Sequence, residues 1–254
     1  MVITDQIQEV KEFLRCHPNL IINADDFGKS ELVNEGIIFC FKNELITSAS
    51  LMANEEGTDS AIKYIKENRL STIGAHINLT EGYPMGKFDV DLLLNHDGTW
   101  NKNNYWNPKI LNRGILEKIT DEINLQLDKI IDSGINLCHL NSHHHIHTIP
   151  FLFSVFFKIA KKRNIKMRMA QTYSEGNYVK YYYRKFINNL LKSNGLAFSD
   201  YFKTINAFVI RKNNLRGKNV EIMVHPSFTA DFSKLVDTWE DKDFISELIM
   251  LMED

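Results

Sequence analysis

Short apolar runs alternate with amphipathic stretches along most of the chain. Asn19 to Ala24 is apolar, bounded by Pro18 and by Asp25-Asp26-Phe27-Gly28, the pattern of a buried strand running into a turn. Ser30 caps a predicted helix reaching about Asn43, with Leu32, Val33, Ile37, Ile38 and Phe41 as its inner stripe. A strand over Ile46 to Met52 and a helix over about Asp59 to Asn68 repeat the unit. In the next strand Ile73, Ala75, Ile77 and Leu79 alternate with Gly74, His76, Asn78 and Thr80, so one face is oily and the other carries chemistry.

Glu81 to Pro108 loses periodicity, and its aromatics Tyr83, Phe88, Trp100, Tyr105 and Trp106 point to an ordered excursion. Helices are predicted over Asn112 to Asp132, closed at Gly134, and over Pro150 to about Arg163. Between them lies a strand, Ile135 to His143, and after them a short one, Lys166 to Ala170. Gln171 to Asp200 reads as an insertion with a helix over Tyr181 to Lys192, of the kind that serves as a lid or a subunit contact. Late strands are expected at Lys203 to Ile210 and Val220 to Val224, and a closing helix at Trp239 to Met252. Met1 to Cys16 forms a helix on an N-terminal extension, residues 1–18. Strand and helix alternation implies one α/β catalytic domain, a parallel sheet closed as a barrel with its active site at the strand C-terminal ends.

Length and composition agree with that: 254 residues, 44% hydrophobic and 24% charged, suffice for one large core. A net charge of -2 excludes a general nucleic-acid binder. Cys16, Cys40 and Cys138 are scattered without a C-x-x-C spacing, so a reducing cytoplasm is expected rather than a disulfide framework. No signal-peptide pattern is visible at the N-terminus, and the most apolar run, Ile149 to Ala160, is too short to span a bilayer, so no membrane association is expected.

The candidate chemistry is concentrated between Cys138 and Pro150, where five of the nine histidines fall: His139, His143, His144, His145 and His147. As a strand this run puts His139, Asn141 and His143 on one face. Converging neutral imidazoles suit a metal ion; the competing reading is a solvated histidine-rich loop. Elsewhere Asp25-Asp26, His76 and His225 sit at the C-terminal ends of other predicted strands, where a barrel enzyme keeps its catalytic groups. Asp26, His76 and His143 supply one carboxylate and two imidazoles, an open set that leaves room for water. In a regular strand Asp25 points away from Asp26, which leaves it free to act as general base.

These residues resemble a known family. I-I-N-A-D-D-F-G-K-S (residues 21–30), G-A-H-I-N-L-T-E-G (74–82), H-L-N-S-H-H-H-I-H-T-I-P (139–150) and M-V-H-P-S-F (223–228) are similar, in that order, to motifs of the YdjC-like carbohydrate deacetylases, which include chitooligosaccharide deacetylases. The resemblance implies a deformed TIM-like (β/α) barrel and a homodimer that hydrolyses N-acetyl groups on sugars or oligosaccharides. It also implies a divalent metal, usually magnesium, with zinc or another transition ion as the alternative. It places the catalytic carboxylate at Asp25, metal ligands at Asp26, His76 and His143, and an active-site histidine at His225. Asn141 stands where the family commonly carries Asp, a departure beside the ligands that bears on metal affinity.

On this reading Asp25 takes a proton from metal-activated water, amides near Phe27 face the oxyanion, and His225, His145 or His147 protonates the leaving amine. His144 is assigned a structural or surface role, and Tyr181-Tyr182-Tyr183 a subunit contact. Other metal-dependent amidohydrolases or phosphatases, an iron(II) oxygenase and a non-catalytic sugar- or metal-binding protein are the competing functions. The oxygenase is disfavoured because such sites sit in double-stranded β folds.

Overall fold

A computed structural model describes residues 2–172, 177–210, 215 and 217–252. Seven strands form the main sheet: β1 (Leu20–Phe27), β2 (Ser48–Leu51), β3 (Ile73–Ile77), β4 (Leu137–Ser142), β5 (Lys166–Met167), β6 (Tyr201–Thr204) and β7 (Val220–Val224). They run parallel in the order β5-β4-β3-β2-β1-β7-β6. Leu196 to Phe198 bonds to Met167 of β5 through Met167 N to Leu196 O (2.7 Å) and Phe198 N to Met167 O (2.9 Å). The same stretch of chain continues into β6 on the opposite edge, so the sheet curls into the barrel that the alternation predicts, deformed as the resemblance implies.

The helices that cover it are α1 (Val2–Cys16), α2 (Glu31–Lys42), α3 (Thr58–Glu67), α4 (Arg113–Asp132), α5 (Pro150–Arg163), α6 (Tyr178–Ser193), α7 (Ile205–Val209) and α8 (Phe244–Met250). Local chemistry sets their ends: Ser30 Oγ accepts from Val33 N in α2 at 3.4 Å, and Pro150 occupies the first turn of α5. Strand residues Ile22, Ala24, Ile73, Ala75, Leu140 and Val220 are fully buried against helix residues such as Ile37, Ile119, Ile123 and Phe156. Val10 and Leu14 of α1 join this core.

The 81–108 excursion is ordered: Trp100 is 3% exposed against Phe88, and the buried Tyr105 hydroxyl donates to Leu79 O at 2.6 Å. The predicted insertion is part of the wall, because Ile187 and Leu191 of α6 are buried and the Asn188 amide bonds both Ala170 N and Ala170 O at 2.8 Å. Its residues 173–176 lie outside the described residues.

Several boundaries differ from expectation. The strand expected over Lys203 to Ile210 ends at Thr204, whose hydroxyl caps α7 at Ala207 N (3.3 Å). The Ile135 to His143 strand covers only Leu137–Ser142, and Lys166 to Ala170 only Lys166–Met167. The closing helix starts at Phe244; Trp239 lies instead in a turn between β9 (Leu235–Asp237) and β10 (Lys242–Asp243). With β8 (Pro226–Phe228) these two make a small antiparallel sheet that carries no alternation strong enough to read. Among the described residues no helix is long and apolar enough to cross a membrane.

Candidate active site

The C-terminal ends of β1, β3, β4 and β7 open onto one cavity of about 230 Å³, lined by Asp25, Asp26, His76, His143 and His225 among others. Four motifs far apart in the chain therefore meet at one point. Asp25 and Asp26 both reach it, contrary to the expectation that neighbouring strand residues diverge. The cause is a register shift between Ala24 and Phe27 where β1 pairs β2, with Asp26 at φ 67. This bulge turns the second carboxylate to the side of the first. Left-handed backbone at a non-glycine costs about 1–3 kcal/mol and tends to persist where function requires it.

Asp26 Oδ1 lies 3.1 Å from His76 Nε2 and 2.9 Å from His143 Nδ1, and ligand atoms of the three residues fall within 4.8 Å of one another. Asp26 Oδ1 is nevertheless buried without a hydrogen bond of acceptable geometry, as is His143 Nε2. Donor atoms that converge this closely without pairing fit a shared cation, and one carboxylate with two imidazoles suits a divalent ion. Burial disfavours a charged His143, yet the carboxylates of Asp26 and Glu81 beside it carry its pKa up to about 9. Burial likewise opposes charge on Asp26, but the two imidazoles hold it well below the usual carboxylate range.

Asp25 has a different setting. Arg168 grips it with two bonds, Nη1 to Oδ2 at 2.5 Å and Nη2 to Oδ1 at 2.6 Å, and donates through Nε to Glu221 Oε1 at 2.7 Å. All three side chains are at most 1% exposed. Burial raises the Asp25 pKa, but the guanidinium outweighs it and holds the group far below the carboxylate range. Burial pushes Glu221 up to about 7, although the shared Arg168 pulls the other way. Sequence reasoning missed both Arg168 and Glu221. Their signal is present in M-R-M and V-E-I, single charges inside apolar strand segments, which are rarely buried unless paired.

Asn141 stands between the two halves of the site. Its carbonyl oxygen accepts from Arg168 Nη2 (2.9 Å) and Ser50 Oγ (2.8 Å), and its NH2 donates to Ala75 O (3.1 Å) and His76 Nδ1 (2.7 Å). The reverse orientation would aim N–H groups at a guanidinium that has only donors. His76 therefore accepts at Nδ1 and carries its proton on Nε2, the atom facing Asp26.

The other histidines separate by role. His139 is a core residue: its Nε2 contacts Ser50 Oγ at 2.9 Å, its ring stacks on Phe198, and it fills the space a Cβ at Gly74 would need. His144 and His145 take left-handed φ of 51 and 55, which ends β4 and turns the run around the cavity. His144 is half-buried, with Nδ1 2.9 Å from Thr80 Oγ1, and lines the cavity, closer to the chemistry than a surface role implies. His145 also lines it, but burial and the Arg168 charge push its pKa down to about 3. His147 is locked on Ser142 Oγ (2.7 Å) and is not among the cavity-lining residues, so neither it nor neutral His145 suits the acid role. Phe27 is fully buried in the core. Lys29 and Glu81 were not anticipated: Lys29 Nζ lies 2.8 Å from Glu81 Oε2 and 3.6 Å from Asp26 Oδ2, on the rim of the metal-type cluster.

His225 follows β7 and faces Asp25, its Nε2 4.0 Å from Asp25 Oδ2. Asp25 thus has a guanidinium on one side and an imidazole on the other.

Comparison with known proteins gives a consistent result. The family model described as YdjC-like protein matches residues 19–254. A protein named carbohydrate deacetylase from Clostridium beijerinckii is 34% identical over 210 residues, 82% of this chain and 81% of its own. One of the same name from Brevibacillus brevis is 31% identical over 212 residues, again 82% and 81%. A crystal structure from Enterococcus faecalis, described in terms of cellobiose-phosphate cleavage, superposes with TM-score 0.69 at 22% identity over 92% of this chain and 90% of that one, which supports the fold.

Proposed function

Because the chain belongs to the YdjC-like protein family, we propose that it is a carbohydrate deacetylase, hydrolysing N-acetyl groups of acetylated sugars or chitooligosaccharide-like oligosaccharides. The observation that carries this reading is the convergence of Asp26, His76 and His143 beside Asp25 in one open cavity. Two relatives that match most of this chain bear the carbohydrate deacetylase name, which supports the substrate class. Asp26, His76 and His143 would hold a divalent ion, which would supply Lewis-acid polarisation of the acetamide carbonyl and a lowered pKa for water. Magnesium is the ion the resemblance implies, while two imidazole donors suit zinc or another transition ion at least as well.

The remaining steps belong to the chain. Asp25, kept ionised by Arg168, orients the attacking water and takes its proton as the C–O bond forms. The bidentate hold makes Asp25 a weak base, so the proton does not rest there but passes to His225, which lies beside it. His225, 4.0 Å away, donates a proton to the leaving nitrogen as the C–N bond breaks, and the products are acetate and the free amine. Lys29 offsets negative charge on the rim between Asp26 and Glu81.

A homodimer and a cytoplasmic site of action complete the reading. Tyr178, Val179, Tyr182 and Phe186 of α6 are all more than 60% exposed, which supports a contact on that helix close to the tyrosines marked in the sequence. Acetate release from N-acetylated chito-oligosaccharides, stopped by EDTA and restored by added metal, tests the function. Phosphate release from sugar phosphates without acetate release overturns it in favour of a phosphatase.

A further inference from the structure

Trp239 lines the cavity and is left unused by the reaction above. It is 58% exposed, an unusual state for an indole, yet it is not loosely held. The backbone N–H of Trp239 donates to Asp237 Oδ1 at 2.9 Å, and the other oxygen of the same carboxylate accepts from the backbone N–H of His225 at 2.8 Å. Thr238 N closes the arrangement on His225 O at 3.0 Å. The indole lies nearly parallel to the His225 ring, centroids 5.7 Å apart at 24°. Asp237 itself is 2% exposed, fixed by the pairing of β8 with β9. One buried carboxylate thus sets both the proton donor and an open aromatic surface at the cavity mouth.

Flat, exposed and rigid aromatic surface next to a catalytic group suits a ligand with an apolar face and polar edges, and a pyranose ring has both. We propose that Trp239 is the platform on which the sugar ring bearing the reacting acetamide stacks, and that Asp237 is the positioning residue that ties this platform to His225. This rests on the deacetylase reading given above. In it, recognition of the ring and placement of the proton donor are a single structural unit.

The test uses the metal-loaded full chain with N,N′-diacetylchitobiose as probe, following acetate release and tryptophan fluorescence. Trp239→Ala raises KM at least about fivefold, while Trp239→Phe and Trp239→Tyr recover most of the loss. Asp237→Asn lowers kcat as well as KM-normalised rate, because it displaces His225 too. The sugar changes the fluorescence of the wild type but not of Trp239→Phe. An active wild type whose KM is unmoved in Trp239→Ala overturns the platform alone. A wild type that binds the sugar through Trp239 fluorescence yet releases no acetate overturns the deacetylase reading and leaves the platform standing. No acetate and no fluorescence change overturns both.

Discussion

Arg168 holds Asp25 by two parallel hydrogen bonds of 2.5 and 2.6 Å, entirely out of solvent. A planar fork facing a carboxylate fixes both its charge and its direction, which a lysine ammonium cannot reproduce. Arg168→Lys should therefore lower acetate release at least about a hundredfold while metal content stays constant. Arg168→Gln leaves Asp25 and Glu221 buried without a counter-charge and should destabilise the fold by about 3–5 kcal/mol. Denaturant unfolding with elemental analysis checks both. Stability unchanged in the Gln variant would contradict the buried network.

Asp25 and Asp26 are neighbours in different settings, Asp25 on Arg168 and Asp26 beside His76 and His143. Asp25→Asn should abolish turnover, by about a thousandfold or more, with metal retained, whereas His143→Ala should lose the metal. Metal content measured after gel filtration separates the two. Equal loss in both variants removes the assignment of Asp25 as base.

Asn141 presents an N–H to His76 Nδ1 at 2.7 Å and so favours the tautomer with a proton on Nε2, facing Asp26. Metal binding at that nitrogen must move the proton against the amide. Asn141→Asp provides an acceptor for both His76 Nδ1–H and Arg168, and should tighten metal binding by about 10–100-fold. Calorimetric titration of the metal-free protein with zinc reads this without reference to activity. Weaker binding in the Asp variant would refute the tautomer argument.

Glu247 of α8 is 1% exposed, and its oxygens have no hydrogen bond of acceptable geometry, with Lys242 Nζ 3.7 Å from Oε1. Burial first, then the charges of Asp237 and Glu240, push its pKa up to about 7 from 4.5. The folded state then binds more protons than the unfolded state between those values. This group's contribution is full below about pH 4.5 and is lost as pH rises through about 7. Glu247→Gln should match wild type near pH 4.5 and exceed it at pH 8 by on the order of 2–3 kcal/mol. Unfolding curves at the two pH values decide it; equal pH dependence in both proteins would rule out the raised pKa.

Much of the site was legible because its residues come in short motifs at strand ends. Asp25, Asp26, His76, His143 and His225 all face the cavity that the alternation of strands and helices predicts. The separation of Asp25 from Asp26 was misjudged, since period-two reasoning assumes a regular strand and a bulge breaks it. Trp239 was read as helix because Leu248 and its neighbours extend an apolar pattern across a turn that Asp237 closes.

The sequence by itself determined the period of strand and helix, the burial of each face and the chemical types available at the strand ends, because these follow from nearest-neighbour spacing along the chain. Only the tertiary structure decided which charges share a partner. Arg168 comes from just beyond β5, Glu221 from β7 and Asp25 from β1, and Asp25 lies 143 positions before Arg168. Curling of the sheet brings those three together, and electrostatic pairing depends on distance in space, for which separation along the polypeptide is no guide.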